Sequence, residues 1–303
     1  MNEIKEKSRH FKWWTKQEVD NLIELLSQGL QFSEISKKIN RTKNACSLKA
    51  SKLGFQSWHI KKRKYEINES FWKDFNFLNC YYAGILAADG CLRLNNKKFK
   101  YAGSLEWQVA SKDRILLEAF KDISSYQGPI SDGIYGGHRK SKLYIKCQTW
   151  NKDLFENFNI IPNKTFRVMP PHGLTDQQMF CWLIGYIDGD GCLTFNKIHK
   201  KLVLSITSCS KELLDFIYEF LKERFPLKIK KSKECKPRKD KIGNYWTLGI
   251  YGIRATCLYS YLKQYNLPKL VRKWDQPKIN ELEAAFKESH SHFFDFSHLP
   301  PPA

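Results

Sequence analysis

A thirteen-residue segment of this chain occurs twice, and the repeat constrains the architecture more than any other feature. Residues 80–92 (CYYAGILAADGCL) align without gaps with residues 181–193 (CWLIGYIDGDGCL), at an offset of 190 − 89 = 101, with six of the 13 positions identical. Each copy reads as a short apolar helix stopped by a glycine, Gly90 or Gly191, in the role of a C-terminal cap, with a strand after it. The elements after each copy also match in order. Strands 92–99 and 105–110, a helix over 113–123, strands 130–135 and 143–148 and a helix over 153–158 succeed the first. Strands 193–198 and 202–207, a helix over 211–224, strands 227–231 and 245–251 and a helix over 254–265 succeed the second. Two α-β-β-α-β-β-α units of similar length predict an α+β core with pseudo-twofold symmetry.

Gly84 and Gly185 fall in mid-helix, where glycine costs about 1 kcal/mol relative to alanine. Their matched placement makes sense if the two helices cross closely, small residue against small residue. Such a crossing brings Asp89 and Asp190 together at the negative ends of two helices, where they repel unless a cation joins them. Hard oxygen ligands with open positions suit Mg²⁺, which keeps waters and takes up substrate phosphates.

Net charge narrows the partner. The chain has 51 basic and 31 acidic residues, a balance of +20, which points to a polyanion such as nucleic acid. It contains no apolar run near the roughly 20 residues that span a bilayer, and its opening residues, MNEIKEKSRHFKWW, lack a secretory apolar region. The expectation is therefore an intracellular protein with no membrane attachment, cytoplasmic in a bacterial or phage setting, with an organelle left open. Nine cysteines without a C-x-x-C pair fit a reducing compartment and no structural zinc.

The front of the chain predicts three short helices. Thr15 and Glu18 have capping-box spacing, Val19, Leu22, Ile23, Leu25 and Leu26 come next at helical period, and Gly29 closes the first helix. A second helix spans 33–39, and a third, capped by Thr42, runs to about Leu53 before Gly54. This is the helix-turn-helix pattern. With Ala45 and Leu48 facing the core, Lys43, Asn44, Ser47 and Ser51 face outward, where a recognition helix meets the major groove. The Trp-Thr-x-x-Glu opening resembles the Myb/SANT-like branch of these domains.

The paired motifs resemble those of the LAGLIDADG homing endonucleases in their single-chain, two-motif form, over roughly residues 75–274. The second motif, 183–191, is close to the family pattern; the first, 82–90, has Tyr82 at the opening position and Ala87 in place of the first aspartate. The resemblance implies a Mg²⁺-dependent endodeoxyribonuclease of the kind that mobilises introns. It would hydrolyse one phosphodiester on each strand across the minor groove and leave short 3′ overhangs. Asp89 and Asp190, with Gly90 and Gly191, would hold the metal; Mn²⁺ would substitute and Ca²⁺ would bind without supporting cleavage. By the same resemblance, a lysine after the last helix of each unit stabilises developing charge, nominating Lys164 and Lys269, with Lys273 a rival for the second. Ser111 and Ser208, closing the second strand of each unit, match water-ordering positions.

Alternation along the strands puts Leu92, Leu105, Trp107 and Val109 inward. Arg93, Asn95, Gln108, Tyr144, Lys146 and Gln148 then face outward in the first unit, and Thr194, Asn196, Ser205, Thr207 and Thr247 in the second. Such a ribbon can read major-groove edges of double-stranded DNA. Between the last two strands, residues 228–241 carry eight basic and two acidic residues and read as an extended hairpin along phosphates. The expected organisation is a helix-turn-helix domain (1–58), a basic linker (59–74), a first unit (75–165), an inter-unit linker (166–178), a second unit (179–275) and a tail (276–303) without a reading, in a monomer. An RNA maturase assisting intron splicing and a catalytically silent DNA-binding regulator are the alternatives of other classes.

Overall fold

The computed structural model describes residues 13–28, 30–54, 65–94, 101–225, 237–239 and 244–302. The chain divides into two compact units, residues 1–64 and 65–303.

The smaller unit holds helices α1 (Lys16–Ser27), α2 (Phe32–Ile39) and α3 (Lys43–Lys52). Thr15 and Glu18 form a reciprocal capping box at the start of α1, and Thr42 caps α3 through the Ala45 amide. Leu22, Leu26, Ile35, Cys46 and Ala50 make its core. Arg41 ties the corner together, pairing with Glu18 at 2.8 Å and lying 4.9 Å over the Trp14 ring. The rotation of α3 differs from the expectation. Cys46 and Ala50 are buried and Leu48 is 67% exposed, because the i, i+4 pair that meets α1 and α2 is 46/50. Lys43, Asn44 and Ser51 are exposed, and Ser47 is half-buried.

The larger unit repeats one pattern. Helix α4 (Phe77–Asp89), strands β1 (Gly90–Leu94) and β2 (Gly103–Ala110), helix α5 (Ile115–Ser124), strands β3 (Ser131–Tyr135) and β4 (His138–Ile145) and helix α6 (Gln148–Glu156) form the first copy. Helix α7 (Asp176–Asp190), strands β5 (Gly191–Asn196) and β6 (Lys201–Ser208), helix α8 (Lys211–Arg224), strands β7 (Arg238–Lys239) and β8 (Trp246–Tyr251) and helix α9 (Ile253–Lys263) form the second. Each copy builds a four-stranded antiparallel sheet, in the orders β1-β2-β4-β3 and β5-β6-β8-β7. The fold is α+β with two pseudo-symmetric units, as the repeat predicts. Helices α10 (Val271–Trp274) and α11 (Pro277–Ser289) come after them; α11 falls in the tail for which the sequence offered no reading. No described helix is long and apolar enough to cross a membrane.

Three details differ from the sequence expectation. Gly90 (φ −76°) and Gly191 (φ −90°) are extended, not left-handed caps. Their reason is closeness, since a Cβ at either would lie 2.6 Å from a backbone oxygen of the preceding turn, that of Leu86 or Ile187. Gln148 opens α6 instead of ending a strand, because β4 stops at Ile145. Among the described residues β8 pairs with Arg238 and Lys239; the strand expected at 227–231, Asn95, and most of the basic segment 228–241 lie outside them.

Candidate active site

Helices α4 and α7 are almost wholly buried, and they cross at their glycines. A Cβ on Gly84 would sit 1.9 Å from the Trp182 carbonyl oxygen, and one on Gly185 would sit 1.9 Å from that of Tyr81. Only glycine allows the two backbones so near. Beyond the crossing, a Cβ on Gly189 of α7 would lie 3.3 Å from Oδ2 of Asp89, so the end of one helix lies against the carboxylate of the other. Asp89 and Asp190 both reach solvent there. Loss of surrounding water raises Asp89 to about 6, with the charge of Asp190 adding to the effect and Lys164 and Lys273 opposing it. Asp190 is raised as well, by burial, against the pull of Lys164, Tyr186 and Lys273.

This donor set fits a hard divalent cation. Two carboxylates raised mainly by burial sit at the carbonyl ends of two helices, where positive charge is favourable. Among the described residues no cluster of three or more His, Cys, Asp or Glu is suited to a metal. The remaining ligands would be backbone oxygens, water and substrate phosphate, the habit of Mg²⁺.

Two lysines cap the helix ends. The Lys164 Nζ donates to the Ala87 and Ala88 carbonyls of α4 at 2.6 and 2.7 Å. Lys273 donates to the Ile187, Asp188 and Gly191 carbonyls of α7 at 2.7, 2.7 and 2.8 Å. Burial lowers both ammonium groups; Asp190 and Asp89 pull Lys164 back up, and Asp188 and then Asp89 pull Lys273. Lys269 stands elsewhere: its Nζ closes α9 through the Leu262, Lys263 and Tyr265 carbonyls, and burial lowers it to about 8. The counterpart of Lys164 in this geometry is thus the rival, Lys273. The Gly191 carbonyl, expected beside the metal, already accepts from Lys273.

Strand register separates the two serines. Gly90 pairs with Trp107 and Gly191 with Ile206, so Ser208 is equivalent to Val109 and Ser111 to Ser210. Ser208 is buried, accepts from the Ser210 amide at 3.1 Å, and bonds with Tyr186, which also bonds with Asp190. Ser111 lies past β2 in a 3-10 turn, lining an open groove of about 540 Å³ with Arg114, Asp132 and Arg139. The two are not symmetry mates, because the strands end at different points in the two units.

The open faces of the sheets carry most of the other nominated residues. Arg93, Tyr144, Lys146 and Thr194 are exposed, and Gln108, Asn196, Ser205, Thr207 and Thr247 half-buried. Sequence reasoning passed over Glu106 on this face, which accepts from Lys142 at 2.8 Å and pairs with Arg93 at 3.3 Å. Its spacing of two from Gln108 was the available signal. It also passed over Tyr186, which only the fold carries to Asp190.

Asp188, the first aspartate of the second motif, is buried and works locally. It accepts from the Tyr81 hydroxyl at 2.8 Å, the Trp274 indole at 2.7 Å and the Leu270 amide at 3.2 Å. It thereby anchors the segment bearing Lys273.

Among known proteins, the family model of the LAGLIDADG-like domain matches residues 177–258. Among solved structures, the chain is similar to the I-LtrWI LAGLIDADG homing endonuclease bound to target DNA, at 16% identity and a TM-score of 0.48 over 73% of this chain and 94% of that one. It is also similar to I-GzeII in complex with a DNA target (13% identity, TM-score 0.43, 71% and 92% covered). A third is I-DmoI in complex with DNA and Ca (15%, 0.43, 72% and 99%). No curated protein sequence matches the chain.

Proposed function

We propose that this chain, which carries a LAGLIDADG-like domain and repeats its architecture once, is a site-specific DNA endonuclease that breaks both strands of a long duplex target. The observation that carries the proposal is the glycine crossing of α4 and α7, beyond which the end of α7 lies against the Asp89 carboxylate of α4. Asp89 and Asp190 would hold divalent cation, Mg²⁺ by the hardness of the donors. Bound there, the cation would supply Lewis-acid stabilisation of charge building on a phosphodiester.

The chain's own residues do the rest. Lys273 has all three donors on helix-end carbonyls and Lys164 has two of its three there, so they position the aspartates and offset their charge, and only Lys164 keeps a donor for the phosphate. Tyr186 orients Asp190 by its hydrogen bond. The open sheet faces bind and align the duplex, one unit to each half of the target. The three-helix unit adds contacts at one end through Lys43, Asn44, Ser51 and the exposed Leu48, raising occupancy by effective concentration. A monomer with internal pseudosymmetry suffices, and cutting across the minor groove would leave short 3′ overhangs.

Cleavage of a large mixed duplex library by the full chain tests this, in Mg²⁺ and then Ca²⁺, against the Asp89→Asn/Asp190→Asn double variant. Recurrent Mg²⁺-dependent double-strand cuts, lost at least 10³-fold in the double variant, are expected. Selective binding without any cutting would replace the endonuclease with a regulator, and preference for structured RNA would replace it with a maturase.

A further inference from the structure

The two sheets present unlike chemistry at equivalent positions of their open faces. In the first, Cys91 pairs with Glu106 and Glu106 with Tyr144; the matching row of the second is Cys192, Ser205 and Gly249. Towards the sheet's far end, Arg93 faces Ser104, where the second sheet has Thr194 facing Val203. Towards the helix side, Gln108 faces Lys142, where the second has Thr207 facing Thr247, their hydroxyls 3.4 Å apart.

The centre of the first face is therefore an ion triad. Glu106 is only 9% exposed, and a carboxylate on a face meeting DNA is unfavourable unless cations bridge it. Here it joins Arg93 and Lys142, and the Arg93 side chain remains 67% exposed. Nε and Nη2 are the atoms engaged with Glu106, and the Cys91 side chain also meets the guanidinium, so the group is held from the sheet side while most of it faces solvent. An oriented arginine matches the O6 and N7 acceptors of guanine. The second face, among the described residues, has no carboxylate at the corresponding places, and its charges stand to the side, Arg238 beside Thr247 and Lys201 beside Asn196. Threonine methyls and Val203 suit the thymine methyl, and hydroxyls can serve adenine or thymine.

We propose that Arg93, as Glu106 holds it, selects a G·C pair in the half of the target under the first sheet, and that Thr194, Val203, Ser205, Thr207 and Thr247 favour A·T pairs under the second. The inference rests on the DNA reading above. Its chemistry is that of the target itself: a duplex whose two halves differ in base composition.

Selection of bound duplexes from a randomised library, by the full chain with both aspartates changed to asparagine, tests it. One half should return a fixed G·C pair and the other a run of A·T. Adding Arg93→Ala should relax that G·C choice tenfold or more and leave the A·T half unchanged. Arg93→Lys, which keeps the charge and loses the fork, should relax the same choice while total affinity stays within about threefold. Glu106→Gln should weaken the choice by a smaller factor. Recovery of the same G·C pair by Arg93→Ala, or of G·C in both halves, would overturn the proposal while leaving DNA recognition standing. Equal binding of every duplex by the parent protein would overturn the DNA reading and this inference with it.

Discussion

In the second unit Asp188 gathers three donors, from Tyr81, Trp274 and Leu270, and so ties α7 to α4 and to the segment carrying Lys273. The first unit has Ala87 at the matching place, 188 − 101 = 87. Trp182, the counterpart of Tyr81, keeps its buried indole N–H without an acceptor among the described residues. Yet both units retain the crossing glycine, the terminal aspartate and a lysine on the helix end. The difference teaches which parts the paired site needs twice and which serve one unit's packing. The aspartate at the helix end is the one the proposed function requires; the aspartate two residues earlier is an anchor in the second unit, where the first has buried Ala87.

The symmetric part should fail symmetrically. Gly84→Ala and Gly185→Ala would each force a methyl to within 1.9 Å of a backbone oxygen, and neither helix can shift without moving the other. A loss of about 3 kcal/mol or more is expected for each, read by thermal or denaturant unfolding. Markedly unequal losses would break the equivalence of the two helices. The asymmetric part should fail on one side. Asp188→Asn should cost about 2 kcal/mol, since the amide offers donors where three donors already converge. Ala87→Gly should cost about 1 kcal/mol or less, the helix propensity alone.

Much of this asymmetry was legible beforehand, and its limits are physical. Thirteen aligned residues carried the topology of both units, because each motif helix must lead into the same hairpin to bury its apolar face. The aspartates could be named since glycine in mid-helix has few explanations other than a close crossing. The lysines could not be separated by sequence, as Lys269 and Lys273 lie one helical turn apart and both come after α9. Which of them reaches the end of α7 depends on the Leu270–Trp274 turn, held by Asp188. Strand ends are hidden for a similar reason: alternation runs on to Gln148, although β4 stops at Ile145 and Gln148 already opens α6. The sequence points Leu48 to the core because it is the large apolar residue of α3, while the small residues Cys46 and Ala50 fill that space.

The two lysines sharpen the comparison further. Lys273→Met should lower cleavage at least tenfold with a cost of about 1–2 kcal/mol, as three carbonyls at the end of α7 lose their donor. Lys269→Met should cost a similar amount through the end of α9 but leave cutting within about threefold once the protein is folded. Equal loss of cleavage in both would return Lys269 to the site.

The smallest effect concerns protons. Folded Asp89 sits near 6, above its ordinary value of 3.8. The folded state therefore holds that proton more tightly than the unfolded chain does. This contribution is fully present below about pH 4 and is lost as pH rises through 6. Because the carboxylate still reaches solvent, the change amounts to about 1 kcal/mol. Metal-free wild type should thus lose stability between pH 4 and 6 relative to Asp89→Asn, whose side chain does not titrate. Mg²⁺ at pH 7 should restore the loss in wild type and not in the variant. A difference between the two proteins that stayed flat across that window would mean that Asp89 keeps its water and is not crowded by Asp190, and the paired site would have to be redrawn.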